Sequence, residues 1–144
     1  MSRSERVKKE KFFNLDIPFI DLLQAKAEHW EKGRAVASIV VRPELYNSWQ
    51  TPHGGVVMTL LDVTMGSAAR SVVPHAAGVV TVDMSVSFVS AGQGRLTVEA
   101  RVLRSGASIV FCEGEMRDEA GELVAKAMAS FKVKRKVSPG ETAG

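Results

Sequence analysis

Cysteine is nearly missing from this sequence. The one thiol, Cys112, sits in an apolar run. That excludes an intrachain disulfide and a cysteine-based zinc cluster, and it reads as a small buried hydrophobe. Aromatic residues are scarce too, at 6%, so the interior must be assembled from Val, Ala, Leu and Met. No apolar stretch approaches the roughly 18 residues of a membrane span, and no apolar leader core stands at the front. A cytoplasmic protein without membrane association is therefore expected. Charge of one sign is not in large excess, since the formal net charge is +3. The surplus is confined to the ends: Arg3, Arg6, Lys8, Lys9 and Lys11 at the front, and Lys132, Lys134, Arg135 and Lys136 at the back. These cations are solvated tails or a contact for ligand phosphates. No aromatic residues interleave with them, which argues against nucleic acid as a partner.

What is present suits one domain. The chain has 144 residues, 45% hydrophobic and 24% charged, an ordinary globular balance. A domain of this size buries only about two-thirds of its unfolded surface, so self-association would add useful burial. Residues 1–12 read as a flexible basic leader, 13–134 as the folded domain and 135–144 as a disordered tail. Between Ile17 and Trp30, the spacing of Ile20, Leu22, Leu23, Ala27 and Trp30 predicts a helix with Pro18 near its start. Ala35 to Val41 reads as a strand, and residues 44–53 as a loop. Gly55 to Arg70 then reads as a long helix, closed before Pro74. Four further strands are predicted at Val79–Val89, Arg95–Leu103, Ile109–Arg117 and Leu123–Val133. In the first of these, alternation puts Val80, Val82, Met84, Val86 and Phe88 on one face and Thr81, Asp83, Ser85 and Ser87 on the other. Helices gathered in the first half and strands in the second make an α+β domain.

The long helix carries the chemistry. Val56, Val57, Met58, Leu60, Leu61, Val63 and Met65 cover every azimuth, as in a helix buried at the centre of a domain. Within that run Asp62 is the single charge. An unpaired buried carboxylate is costly. Asp62 therefore faces a solvated strip, meets a structural partner, or stands in a cleft as a base or nucleophile. At the helix start, Gly54–Gly55 leaves backbone N–H groups uncovered at the positive end of the dipole, a place suited to an oxyanion. His53 directly precedes this pair, whereas His29 and His75 have no neighbouring motif and read as surface residues. Nine residues separate His53 from Asp62, about half a turn in azimuth and some 13 Å along the axis. One copy of the helix cannot bring them together, so the pattern points to a site shared by two chains.

Asn47, the His53–Gly54–Gly55 triplet and Asp62, followed by Val80-Thr81-Val82-Asp83-Met84, resemble the hotdog-fold thioesterases of the phenylacetate-degradation type and related acyl-CoA thioesterases. The resemblance runs from about Ile17 to Val133. It implies a long central helix wrapped by an antiparallel sheet of five to six strands, assembled as a dimer or a dimer of dimers. It implies hydrolysis of an acyl- or aroyl-CoA thioester without cofactor or metal. In that reading the Gly54 N–H polarises the thioester carbonyl, and Asn47 and His53 shape that end of the site. Asp62 of a partner chain acts as general base or nucleophile, and Thr81 holds the water or the carboxylate. Gly55, Trp49, Met58, Leu61 and Met65 are candidate walls of the acyl pocket, with plain core packing as the alternative for each. The resemblance has two departures. Gln50 stands where relatives often have Gly, and Ala107 stands where many carry a basic residue after the hairpin glycine Gly106. Arg104 or the Lys134–Lys136 cluster is then the substitute contact for CoA phosphates. A non-catalytic acyl-CoA-binding module is the competing function. A hotdog dehydratase would need an Asp–His pair that this sequence does not show.

Overall fold

The computed structural model describes residues 11–137 and Gly140. Residues 1–10 of the basic leader, and residues 138–139 and 141–144 of the tail, lie outside the described residues. Phe12, assigned from sequence to the loose leader, is packed: Phe12 and Phe13 are both buried and meet edge to face at 4.7 Å.

The first helix, α1 (Pro18–Leu23), is shorter than its apolar spacing predicts. Pro18 opens it, and Ile20 and Leu23 are its buried residues. It stops because Gln24 turns into the left-handed region, with φ 61°. Arg42 seals the exposed end by donating to the carbonyls of Leu22 and Leu23 at 2.7 and 2.9 Å. The helix predicted as far as Trp30 is thus corrected: its second half is β1 (Lys26–Glu31), a largely exposed strand. A hairpin at Gly33 leads to β2 (Arg34–Val40), which places Ala35, Ala37 and Ile39 in the core. A 3-10 turn at Pro43–Leu45 and a short loop lead into α2 (Gly54–Ser71). The remaining chain is β3 (Gly78–Phe88), β4 (Arg95–Ser105), β5 (Ile109–Arg117) and β6 (Leu123–Lys134).

All six strands form one antiparallel sheet in the order β1-β2-β4-β5-β6-β3. The sheet curls around α2, which packs against every strand. This is the hotdog arrangement. Leu60, Leu61, Met65, Ala68 and Ala69 of α2 are sealed against Leu96, Val98, Val110, Cys112 and Phe131. The approach is close enough that a Cβ on Gly114 would lie 3.1 Å from Met65 and 3.2 Å from Leu61. Cys112 is buried here, its thiol 3.5 Å from the Met65 carbonyl, and burial pushes its pKa up to about 12. Among the described residues, no helix is long and apolar enough to cross a membrane.

Strand β3 departs from simple alternation. Phe88, Val86 and Met84 pair with Ala125, Ala127 and Ala129 and share their helix-facing side. The register then slips between Thr81 and Asp83, so that Thr81, rather than Val82, pairs with Phe131. The extra residue swaps faces. Thr81 and Val79 turn toward α2, and Val80 turns outward opposite Lys132. The single apolar face expected from Val80 to Phe88 is therefore corrected.

Candidate active site

At the amino end of α2 the preceding loop is tied by one side chain. The Asn47 carboxamide oxygen accepts from the backbone N–H of Trp49 and of Thr51 and from the Thr51 hydroxyl, at 2.9, 3.1 and 3.1 Å. This is a loop-closing role. The tight turn holds Gln50 at φ 61°, a conformation that costs a residue with a Cβ roughly 1–2 kcal/mol. A glycine at this position would not bear that cost.

His53 then caps the helix. Its Nδ1 accepts from the Gly55 N–H at 2.8 Å, and its carbonyl accepts from Val56 and Val57 at 2.9 and 3.2 Å. A Cβ on Gly55 would lie 3.0 Å from Nδ1, so a side chain there would crowd this cap. Of the first four N–H groups of α2, only that of Gly54 has no partner among the described residues. It sits at the positive end of an 18-residue helix. The absent Gly54 side chain leaves room beside the ring of Phe88, 3.5 Å from where a Cβ would stand.

Eight residues further along α2, Asp62 is half-buried rather than enclosed. Thr81 donates its hydroxyl to Asp62 Oδ1 at 2.6 Å. The slip in β3 makes this bond possible, because unbroken alternation would point Thr81 away from the helix. Both residues line a cleft of about 150 Å³ whose walls include Ile17, Val63, Val79 and Phe131. One Asp62 oxygen is thus fixed by a neutral donor. The other oxygen has no protein donor among the described residues and can take a proton from water.

Asp62 and the Gly54 N–H belong to one rigid rod, about 12 Å apart along its axis. A single chain does not converge them. The other expected site residues scatter. Leu61 and Met65 have no exposed surface and belong to the core under Gly114, so they wall neither cleft that reaches Arg70. Met58 is partly exposed on the open strip of α2, and Trp49 is 83% exposed at the loop tip. Gly106 closes the β4–β5 hairpin by donating to the Ile109 carbonyl at 2.8 Å. Through the pairs Ile109–Lys132 and Val80–Lys132, that hairpin lies at the Thr81 end of the sheet, and exposed Arg104 lies opposite Phe111. Sequence reasoning missed Arg70, which lines the Asp62 cleft from the last turn of α2. The available signal was its place on the same otherwise apolar helix, a little over two turns beyond Asp62.

The thioesterase superfamily model matches residues 50–125, more than half of the chain, spanning His53, Gly54, Asp62 and Thr81. The chain belongs to the thioesterase superfamily. As a member it is a thioester hydrolase by class. A protein of Saccharolobus solfataricus that carries the name esterase is 34% identical over 127 residues, covering 88% of this chain and 90% of that one. The medium/long-chain acyl-CoA thioesterase YigI of Escherichia coli is 26% identical over 137 residues, covering 84% of this thioesterase and 88% of YigI. The solved PaaI protein of the Escherichia coli phenylacetic acid degradation operon shares the fold. Its TM-score is 0.77 at 21% identity, with 82% of this chain and 85% of that one covered.

Proposed function

We propose that this thioesterase hydrolyses acyl-CoA thioesters at a site built by two copies of the chain, one giving the Gly54 N–H and the other Asp62. The observation that carries the reading is the oriented carboxylate: Asp62 held by Thr81 at 2.6 Å on the wall of an otherwise largely apolar cleft. The exposed edge of β3 runs past both residues, and a second copy added along it would continue the sheet.

Asp62 takes a proton from water as the water oxygen adds to the carbonyl carbon. The carbonyl oxygen gains charge, and the Gly54 N–H donates to it. The C–S bond breaks, and the thiolate leaves with the proton that Asp62 held. The products are free acid and CoA thiol. Asp62 acting first as nucleophile, through an anhydride that water opens, gives the same products. His53 and Asn47 hold the amino end of α2 in register. Arg104, Lys132 and Lys134, all exposed at the Thr81 end of the sheet, are the cations for CoA phosphates.

A panel of acyl-CoA thioesters assayed with a thiol-trapping dye tests this. Asp62→Asn is expected to lose at least about a hundredfold in kcat, the scale of losing general-base catalysis. Turnover by the variant equal to wild type would remove Asp62 from the chemistry. Tight acyl-CoA binding with no turnover by wild type would instead favour a binding module.

A further inference from the structure

Arg70 is a half-buried cation that the mechanism above does not use. Its guanidinium stacks 5.1 Å from the centre of the Trp30 ring. One nitrogen, Nη2, donates to the Phe13 carbonyl and the Ser67 hydroxyl at 3.0 and 3.3 Å. Nε and Nη1 donate to nothing among the described residues, and no carboxylate there forms an ion pair with Arg70. Burial alone pulls its pKa below the usual arginine value. Glu31 shares its surroundings but is engaged by Arg34 and His29, each at 3.3 Å.

Two clefts meet at this cation. The Asp62 cleft and a larger one of about 660 Å³ share Leu15, Val79 and Arg70. Between Asp62 and Arg70 the walls are mostly apolar: Leu15, Ile17, Val63, Val79 and Phe131. The two residues are eight positions apart on α2, about 12 Å, the reach of an extended chain of roughly eight to ten carbons. An uncompensated guanidinium at the end of an apolar channel disfavours a methyl terminus and favours an anion. A carboxylate oxygen can accept from one of its free donors, Nε–H or Nη1–H, which point to different sides of the guanidinium.

We propose that the channel selects acyl chains that end in a second carboxylate, with Asp62 beside the thioester and Arg70 receiving the distal anion. The proposal rests on the hydrolytic reading above and names its substrate class. Arg70 acts here in specificity and takes no part in bond breaking.

The test compares octanedioyl-CoA with octanoyl-CoA, on wild type, Arg70→Met and Arg70→Lys. Wild type is expected to favour the dicarboxylic ester in kcat/KM by about 10- to 100-fold, the range of one charge-assisted hydrogen bond. Arg70→Met should erase that ratio and leave octanoyl-CoA turnover within about threefold, while Arg70→Lys should keep part of it. Absence of any wild-type preference, across chains of roughly six to twelve carbons, overturns the proposal. So does an equal loss on both esters in Arg70→Met, since that is what a purely structural arginine would give. Calorimetry of octanedioate and octanoate binding to the same three proteins reads selectivity without turnover. Arg70-dependent binding of octanedioate with no hydrolysis of either ester would sink the hydrolytic reading and keep the selectivity. Equal hydrolysis of both esters would do the reverse.

Discussion

Replacing Gly54 with proline isolates one backbone hydrogen. Gly54 is the first residue of α2, the helix position at which proline is best tolerated. His53 before it has φ −61° and ψ 137°, the extended conformation that a following proline requires. The Gly54 N–H has no partner among the described residues, so removing it breaks no bond of the fold. The three N–H groups behind it are already taken by His53, so no neighbour can replace it as an oxyanion donor. The loss should therefore be that of a complete donor, about 10²–10³ in kcat or roughly 3–4 kcal/mol of transition-state stabilisation. Folding stability should hold or rise by about 0.4–1 kcal/mol, because proline restricts the unfolded chain. Gly54→Ala keeps the N–H and meets the Phe88 ring at an ordinary 3.5 Å, so it serves as the control. Steady-state kinetics and a thermal melt on both variants give the readout. Co-refolding Gly54→Pro with Asp62→Ala extends the test. If each site takes its donor and its acid from different chains, random pairing restores about a quarter of wild-type activity. No recovery from two inactive parents would refute the shared site. Gly54→Pro turnover within a few-fold of wild type would refute the donor itself.

Three further outcomes are expected. Thr81→Val keeps the shape but removes the 2.6 Å bond to Asp62, and kcat should fall about ten- to a hundredfold, as for a hydrogen bond to a charged group; Thr81→Ser should retain most of it. Gln50→Gly relieves the left-handed strain at φ 61° and should raise stability by about 0.5–1 kcal/mol, a Tm gain of roughly 2–4 °C in a chain of this size; a lower Tm would show that the strain is not there. With its pKa pushed up to about 12, Cys112 should be only about 10⁻⁴ thiolate at pH 8, so a thiol-trapping dye should leave the native protein unlabelled for the length of an activity assay and titrate one thiol per chain once it is unfolded.

Much of the fold is legible in the chain, for identifiable reasons. The sequence pattern predicts helix α2 over Gly55–Arg70 and it spans Gly54–Ser71, because an apolar run between a Gly pair and a later Pro has few alternatives. Strands β4, β5 and β6 bury one face and expose the other, so their alternation is strong. Strand β1 hides because it buries almost nothing: five of its six residues are exposed, which leaves no face for a pattern to mark. Its helical spacing was the accident of Ala27 and Trp30 following a true helix. Chemistry singled out Asp62, and its half-buried place in a cleft agrees with a lone charge on an apolar helix. Leu61 and Met65 read from sequence as pocket walls or as plain core, and the tertiary contact under Gly114 assigns them to the core. Arg70 stands in the sequence only as the last residue of the predicted helix, with no motif around it. What the sequence could not say is that the chain turns Leu15 and Val79 toward it.

The slip between Thr81 and Asp83 makes the Thr81–Asp62 hydrogen bond depend on parity. Counting back from Phe88, an even number of steps keeps a residue on the helix side of β3 and an odd number sends it outward, until Val82 resets the count. Straightening the strand without changing its length would leave its character unchanged and its hydrogen bonding sound. It would also carry the Thr81 hydroxyl to the far side of the sheet and set Val82 against the helix in its place. Deleting Val82 would remove the slip and keep Thr81 six steps from Phe88 on the helix side, whereas one residue inserted between Thr81 and Met84 would move Thr81 from its place opposite Phe131, so insertions here should be rarer than deletions.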